Sequence, residues 1–539
     1  MVENKKQAYL GGAAILAASV AITKVIGVIY KIPIYNLLGD EGSAHFQITY
    51  SIYNLLLTLS TAGVPIALSR LISAASALDR PRQIKRYFYV GFATFFVIGL
   101  AGMIIMLAFS QQLANFMGDP EVTNGVRALA PAVMFACIVS VYRGYSQGFS
   151  NMMPTAISQV MESSFKLLFG VVIAWFLSTR GYGSSDIAAG AIVGVTIGLG
   201  LAVPLLMLYK RKIDKNLCLD SIPPGPVKSY GDTLNQILRI GVPIMLSASI
   251  LNIITLIDTK LVLTRLQTGA GFSYWDAKVL TGVYSKAQSL FAVPSSFIVP
   301  ITVSIIPPIS AAIARRNNSE AKAVMSSSLK LTNIFALPAA VGLTVLSGPI
   351  FTSLFYGSNE NGPVLLALLG AASFFVCTQL MTNAILQASG HERLALLTLP
   401  IGGLLKISVN WLFVGNPNIN IIGAPIGTLC CYVLITALNI GFIIWKIKDH
   451  PAFFKLFFRP AVCSAVMGVC AYSLYGLFYR ASFQILASER LVSTIALIFT
   501  VVVSVVVYFM LIVLTRAVTK EDMKYVPKGD KLAEILKIK

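Results

Sequence analysis

The chain has 539 residues, 56% of them hydrophobic and only 12% charged, about half the charged share of a soluble globular protein. The net charge is +20, which in a soluble chain would suggest nucleic acid. Here the basic residues sit in short loops between apolar blocks of about 20 residues, the length that spans a bilayer core, so soluble folds and nucleic-acid partners are both excluded.

Backbone amides in lipid must bond within their own segment, so the blocks read as helices. About 14 spanning segments are predicted, near 10–38, 44–77, 86–110, 122–148, 155–179, 187–209, 236–264, 278–313, 328–352, 363–389, 394–415, 421–446, 456–479 and 491–516. Residues Met1 to Tyr9 hold two lysines before a long apolar run. That run exceeds signal-peptide length and is expected to be the first span. Gly27 and Pro33, Gly63 and Pro65, and Pro294, Pro300, Pro307 and Pro308 should tilt or bend the first, second and eighth segments. The loops alternate in charge. Arg80, Arg82, Lys85 and Arg86, then Lys210, Arg211, Lys212 and Lys215, then Arg315, Arg316 and Lys322, fall on the side of both termini. Asp40, Glu41, Asp119 and Glu121 fall on the other. The excess of Lys and Arg predicts both termini in the cytoplasm of a bacterial-type plasma membrane.

The longest loop, 210–235, carries Pro223, Pro224, Gly225 and Pro226 and divides six segments from the rest. Leu71-Ile-Ser-Ala-Ala-Ser-Ala is matched by Pro308-Ile-Ser-Ala-Ala-Ile-Ala, and Tyr145-Ser-Gln-Gly by Leu386-Gln-Ala-Ser-Gly. Repeats six helices apart keep their orientation, so two lobes related by an axis along the membrane normal are expected. The expected organisation is an N-terminal lobe (1–209), a cytoplasmic linker (210–235), a C-terminal lobe (236–446), two further helices (447–516) and a basic cytoplasmic tail (517–539). The fold class is thus an all-α polytopic membrane protein, with two pseudo-symmetric six-helix lobes around a central cavity plus two C-terminal helices.

Ionisable residues inside the spans carry most of the functional signal. Each costs about 2.5–3.5 kcal/mol at a helix centre and usually faces a bundle interior or a watery cavity. They are Lys24, Lys31, Arg70, Arg143, Glu162, Lys166, Asp258, Lys260, Lys286 and Lys406. Cations outnumber anions, which suits an anionic substrate such as a phosphate or pyrophosphate. Lys24 and Lys31 are seven apart and share a helix face; Lys24 is too central to snorkel and is read as functional. Arg70 and Arg143 lie within reach of the inner interface, where snorkelling competes with function. Glu162 and Lys166 form an i,i+4 pair and are read as mutually neutralising. Asp258 and Lys260 point to different faces, and Lys260 is read as interfacial. Lys286 and Lys406 have no local partner and are expected either to pair with Asp258 or to line the cavity.

The seven cysteines include no CxxC pair, which argues against a disulfide framework or a zinc site. His45, His391 and His450 fall in or beside loops, and no GxxxxGK[ST] motif occurs. Nothing resembles an enzyme site. No cofactor or metal is expected, so energy must come from a gradient or the membrane potential.

Arg143-Gly-Tyr-Ser-Gln147-Gly, followed by Asn151-Met-Met-Pro-Thr-Ala-Ile-Ser-Gln-Val-Met-Glu162, resembles the Arg-Gly-aromatic-x-Gln-Gly signature of prokaryotic polysaccharide exporters in the multidrug/oligosaccharidyl-lipid/polysaccharide (MOP) flippase superfamily. Thr23-Lys24-Val-Ile-Gly-Val-Ile-Tyr30-Lys31-Ile-Pro33 is similar to the start of the branch with stage V sporulation protein B and MurJ-type lipid II flippases. The resemblance spans essentially the whole chain. It implies lobes that rock about a central cavity and a lipid-tail groove on the last two helices. The implied substrate is lipid II, the undecaprenyl-pyrophosphate-linked disaccharide-pentapeptide. Lys24 would occupy the functional basic position of the first helix, where many relatives have Arg, and Gln147 joins the candidate substrate residues. Tyr30-Lys31 replaces an Arg-Asp pair of Gram-negative members, so their phosphate geometry does not transfer. The sodium site of some relatives would need oxygens near Asp258 and Asn410, and Lys406 speaks against it. A monomer is expected, in contact with membrane lipids and with cell-wall synthesis enzymes as candidate partners. Another lipid-linked capsule, teichoic or spore precursor is the nearest rival substrate. A multidrug/cation antiporter or a non-transporting scaffold fits the cationic interior less well.

Overall fold

A computed structural model describes residues 2–216, 227–483 and 489–515. The Pro223–Pro226 stretch of the expected linker and the basic tail at 517–539 lie outside the described residues, as do the side chains of Lys5 and Lys6. The described chain is helical throughout, in two compact units, Met1–Thr264 and Arg265–Lys539.

The first unit is built from α1 (Val2–Thr61), α2 (Val64–Ala77), α3 (Pro81–Ala108), the short α4 (Ser110–Met117), α5 (Thr123–Gly148), α6 (Met153–Thr179), α7 (Ser184–Asn216) and most of α8 (Tyr230–Thr268). The second holds α9 (Tyr274–Ala314), α10 (Asn318–Val345), the short α11 (Ser347–Leu354), α12 (Gly362–Ala388), α13 (Glu392–Phe413), α14 (Gly423–Lys446), α15 (Phe453–Phe483) and α16 (Glu489–Leu514). Among the described residues 13 helical stretches are long and apolar enough to cross a membrane. The first of them, Ala18–Ala77, is 60 residues long. At 1.5 Å per residue it would measure about 90 Å, roughly three bilayer cores. It is interrupted at Gly39, with φ 67 and ψ −165. Counting its two halves separately restores the 14 spans expected from the sequence.

Gly39 is required by its backbone, since a Cβ there would meet nothing within 4 Å while φ lies in the left-handed region. Gly27 and Pro33, expected to bend the first span, sit within continuous helix. The second span does break before Pro65, at Ala62–Gly63.

Small residues bring helices close where lipid gives no hydrophobic drive. Gly190, Gly194 and Gly198 recur every four residues along one face of α7. A Cβ on Gly194 would lie 2.4 Å from Gly170 N, and one on Gly198 2.6 Å from Glu162 O, so α6 and α7 touch along their backbones. The start of α8 is pinned to α3. Lys228 N donates to Gln83 Oε1 at 2.8 Å, Tyr87 Oη donates to Gln236 Oε1 at 2.7 Å, and Arg86 stacks over Tyr230.

In the second unit Ile298, Ile305, Ile309, Met325, Cys377, Met381 and Ile443 form a core shared by α9, α10, α12 and α14. Asn439 joins α14 to its neighbours, donating to Thr382 Oγ1 at 3.1 Å and accepting from Thr398 Oγ1 at 3.0 Å. Helices α15 and α16 pack on α10 through Ile334, Cys463, Met467 and Tyr508, whose hydroxyl donates to Ile334 O at 2.8 Å.

Candidate functional site

The charged residues of the first unit form tiers along α6. Ser158, Glu162 and Lys166 are spaced by four and share one helix face, about 6 Å apart per step. Arg143 reaches across from α5. Its Nη2 donates to Glu162 Oε2 at 3.0 Å and its Nε to Ser158 Oγ at 2.9 Å. Both partners of this ion pair are largely buried. Gln147, one turn along α5, donates to Thr155 Oγ1 at 3.2 Å. The Arg-Gly-aromatic-Ser-Gln-Gly run therefore clasps the first turns of α6.

This corrects the expectation that Glu162 and Lys166 neutralise each other. The guanidinium satisfies Glu162 and Ser158 together, and Lys166 turns to aromatic groups instead. Lys166 Nζ donates to Tyr50 Oη at 2.6 Å and lies 4.8 Å from the Tyr30 ring centroid and 4.7 Å from that of Tyr50. Tyr30, Tyr35, Phe46, Tyr50 and Tyr53 form a continuous ring cluster. A desolvated ammonium is stabilised over such faces by about 2 kcal/mol or more.

Lys31 is half-buried on α1 and feels the charges of Lys166 and Lys24. Lys24, two turns away, is exposed and has no hydrogen bond or ion pair to another described residue. Arg70 is exposed on α2. Asp258 on α8 is 3% exposed, and Lys260 lies 3.6 Å above the Phe116 ring. The first unit thus gathers Lys24, Lys31, Lys166, Arg143, Glu162 and Gln147 onto α1, α5 and α6.

In the second unit Lys286 on α9 is 2% exposed, donates to Ser358 Oγ at 3.5 Å and lies 5.6 Å from the Phe355 centroid. Lys406 is half-buried on α13, one turn from the buried Asn410. Sequence reasoning missed Lys278, fully buried at 0% exposure under Trp275 and Tyr274. It lay at the edge of an apolar segment and passed for a flank. Its spacing of eight from Lys286, which places both on one face, was the available signal.

The second unit holds two cavities. One of about 510 Å³ is lined by Tyr356, Ser358, Glu360, Tyr475 and Arg490 among others. The other, of about 500 Å³, is almost wholly apolar and runs between α9, α10, α15 and α16, against Pro294, Pro338, Met467, Val501 and Phe509.

The model of the family described as polysaccharide biosynthesis protein matches residues 9–312, more than half of the chain. The chain belongs to that family. It is a multi-pass membrane protein, and a solved multidrug resistance MATE family transporter of the MOP superfamily shares its fold with a TM-score of 0.65 at 18% identity, covering 81% of this chain and 98% of that one. The lipid II flippase MurJ of Bacillus subtilis (strain 168) is 27% identical over 485 residues, covering 85% of this chain and 87% of that protein. Stage V sporulation protein B of the same organism is 24% identical over 530 residues, covering 97% and 98%. A solved structure of lipid II flippase MurJ in an inward closed conformation superposes with a TM-score of 0.67 at 16% identity, covering 92% of this chain and 97% of that one. The Arg143–Gln147 run and the tiers of α6 lie inside the matched region.

Proposed function

We propose that this chain flips an undecaprenyl-pyrophosphate-linked peptidoglycan precursor, lipid II, from the inner to the outer leaflet of a bacterial plasma membrane, with both termini in the cytoplasm. The carrying observation is the chemistry of the first unit. Lys24, Lys31 and Lys166 share a region whose only anion among the sequence-predicted groups, Glu162, is held by Arg143 at 3.0 Å. Ammonium groups bind a pyrophosphate as point charges and release it without breaking a rigid fork; Lys24 is exposed, and Lys166 is held by Tyr50 and Tyr30 rather than by a carboxylate. A cationic drug or coupling cation would meet repulsion there. Two rocking lobes, residues 1–209 and 236–446, would present these groups to each side in turn, with Arg70, Lys286, Lys406 and Asp258 as further contacts. The apolar groove between α9, α10, α15 and α16 offers a dry track for the polyprenyl tail. The inside-negative potential favours outward movement of an anion by about 2.3 kcal/mol per charge per 100 mV.

The similarity to stage V sporulation protein B over nearly the full length supports a second reading, export of another lipid-linked glycan on the same pyrophosphate handle. Depletion of the protein separates the two. Lipid II is expected to accumulate on the inner leaflet; accumulation of a different glycolipid, with lipid II unaffected, overturns the first reading.

A further inference from the structure

His45 belongs to none of the transport chemistry above. Sequence placed it beside a loop, yet it is 1% exposed within α1, one turn from Glu41 on the same helix face. The turn between α4 and α5 meets it. Asp119, buried at 0% exposure, takes a hydrogen bond from His45 Nδ1 at 2.7 Å through Oδ2, while its Oδ1 accepts from Glu121 N at 3.3 Å. Ser185 Oγ donates to Glu121 O at 2.5 Å and fixes that turn from α7. With Nδ1 carrying the proton for Asp119, the tautomer leaves a lone pair on Nε2. Nε2 is buried and has no hydrogen-bond partner among the described residues. It nevertheless faces two carboxylates, Glu121 Oε2 at 3.3 Å and Glu41 Oε1 at 3.7 Å.

We propose that Glu41, His45 and Glu121 form a binding site for a divalent transition cation of the zinc class, with Asp119 as the positioning residue for the imidazole. The three ligand atoms lie within 4.8 Å of one another. Ligands about 2.0–2.1 Å from zinc at the tetrahedral angle are about 3.4 Å apart, the spacing seen from Nε2 to each carboxylate. One imidazole and two carboxylates suit zinc, cobalt or manganese better than magnesium or calcium, which favour all-oxygen shells. The carboxylate–imidazole–metal relay matches the arrangement that orients histidine ligands generally. The Glu41 and Glu121 side chains are 32% and 40% exposed, so an ion has access from their side. Bound there, the ion would tie the start of the second crossing to the turn before α5. The site stands apart from the identity of the transported lipid.

The test uses tag-free, chelator-stripped full-length protein in detergent or nanodiscs. Zinc chloride is titrated by calorimetry and cobalt chloride by visible absorption. Wild type should bind one equivalent, show a d–d band of a four- or five-coordinate cobalt, and melt at higher temperature with zinc. His45→Gln should abolish both signals, and so should Glu121→Gln, whose side chain is 40% exposed and can change without disturbing the core. Asp119→Asn should weaken binding by roughly 10–100-fold. Absent saturable binding by folded wild-type protein, or equal binding by folded Glu121→Gln, the proposal fails and the cluster only ties the turn before α5 to α1.

Discussion

Replacing Glu162 with Gln removes the carboxylate that holds Arg143 while keeping the side-chain volume. At 3.0 Å and an effective dielectric of about 20, the bare Coulomb attraction is about 5.5 kcal/mol. Desolvation of two largely buried groups offsets most of it, so the coupling that survives should be about 1–3 kcal/mol. It is measured with a double-mutant cycle, Glu162→Gln against Arg143→Gln, by reversible denaturant unfolding in mixed micelles. A second cycle pairs Glu162→Gln with Lys166→Met. The local helix rule alone would give that pair a coupling of about 0.2–0.5 kcal/mol, and the structure gives it less, because Lys166 is committed to Tyr50. Additivity within about 0.3–0.5 kcal/mol in the first cycle, or the larger coupling in the second, refutes the assignment of Arg143 as the partner.

Lys24→Ala should abolish lipid flipping in proteoliposomes at normal protein levels while Lys24→Arg retains part of it, since charge is kept and geometry changes; equal rates for wild type and Lys24→Ala would remove the cationic mechanism. Collapsing the membrane potential with pH and sodium gradients held fixed should slow transport; an unchanged initial rate contradicts this. Gly39→Ala should cost about 1–3 kcal/mol, because φ 67 with ψ −165 lies in a region essentially confined to glycine, and Gly39→Asn should cost about as much, since asparagine's tolerance is for the left-handed helical region; thermal melts of both variants check this, and unchanged melting would refute it. Gly194→Val should separate α6 from α7, where even a Cβ falls 2.4 Å from Gly170 N, and lower the folded yield on size exclusion; a normal profile would mean that the contact tolerates repacking.

The spans were legible because a bilayer imposes one length on every crossing, and the predicted 155–179, 363–389 and 421–446 lie within two residues of α6, α12 and α14 at each end. Helix ends beyond the hydrocarbon were not legible. Helix α7 continues to Asn216 and α8 begins at Tyr230, where polar residues stay helical on hydrogen bonds that hydropathy does not register. Single charges could be spotted, but their partners could not. Glu162 invited pairing with Lys166 because i,i+4 is the contact a sequence exposes, whereas Arg143 arrives from the preceding helix around the turn at 149–152. Nothing in the spacing of Tyr30 and Tyr50 signals that packing sets Lys166 against both rings. His45 was unreadable for the same reason, since Asp119 and Glu121 are brought to it only by packing.

The break at Gly39 also bears on assembly order. The halves of α1 on either side of it are joined by one residue of turn, so they should leave the translocon as a single hairpin before α6 has been synthesised. Tyr30 lies on the first arm and Tyr50 on the second, and their rings are linked through Phe46. The receptacle for Lys166 is therefore already present in the bilayer when α6 emerges, and a lysine that would otherwise be costly to insert meets its aromatic partners on arrival. Lengthening the turn at Gly39 would delay that encounter, and its first symptom should be retention of α6 at the translocon, ahead of any loss in the activity of molecules that complete folding.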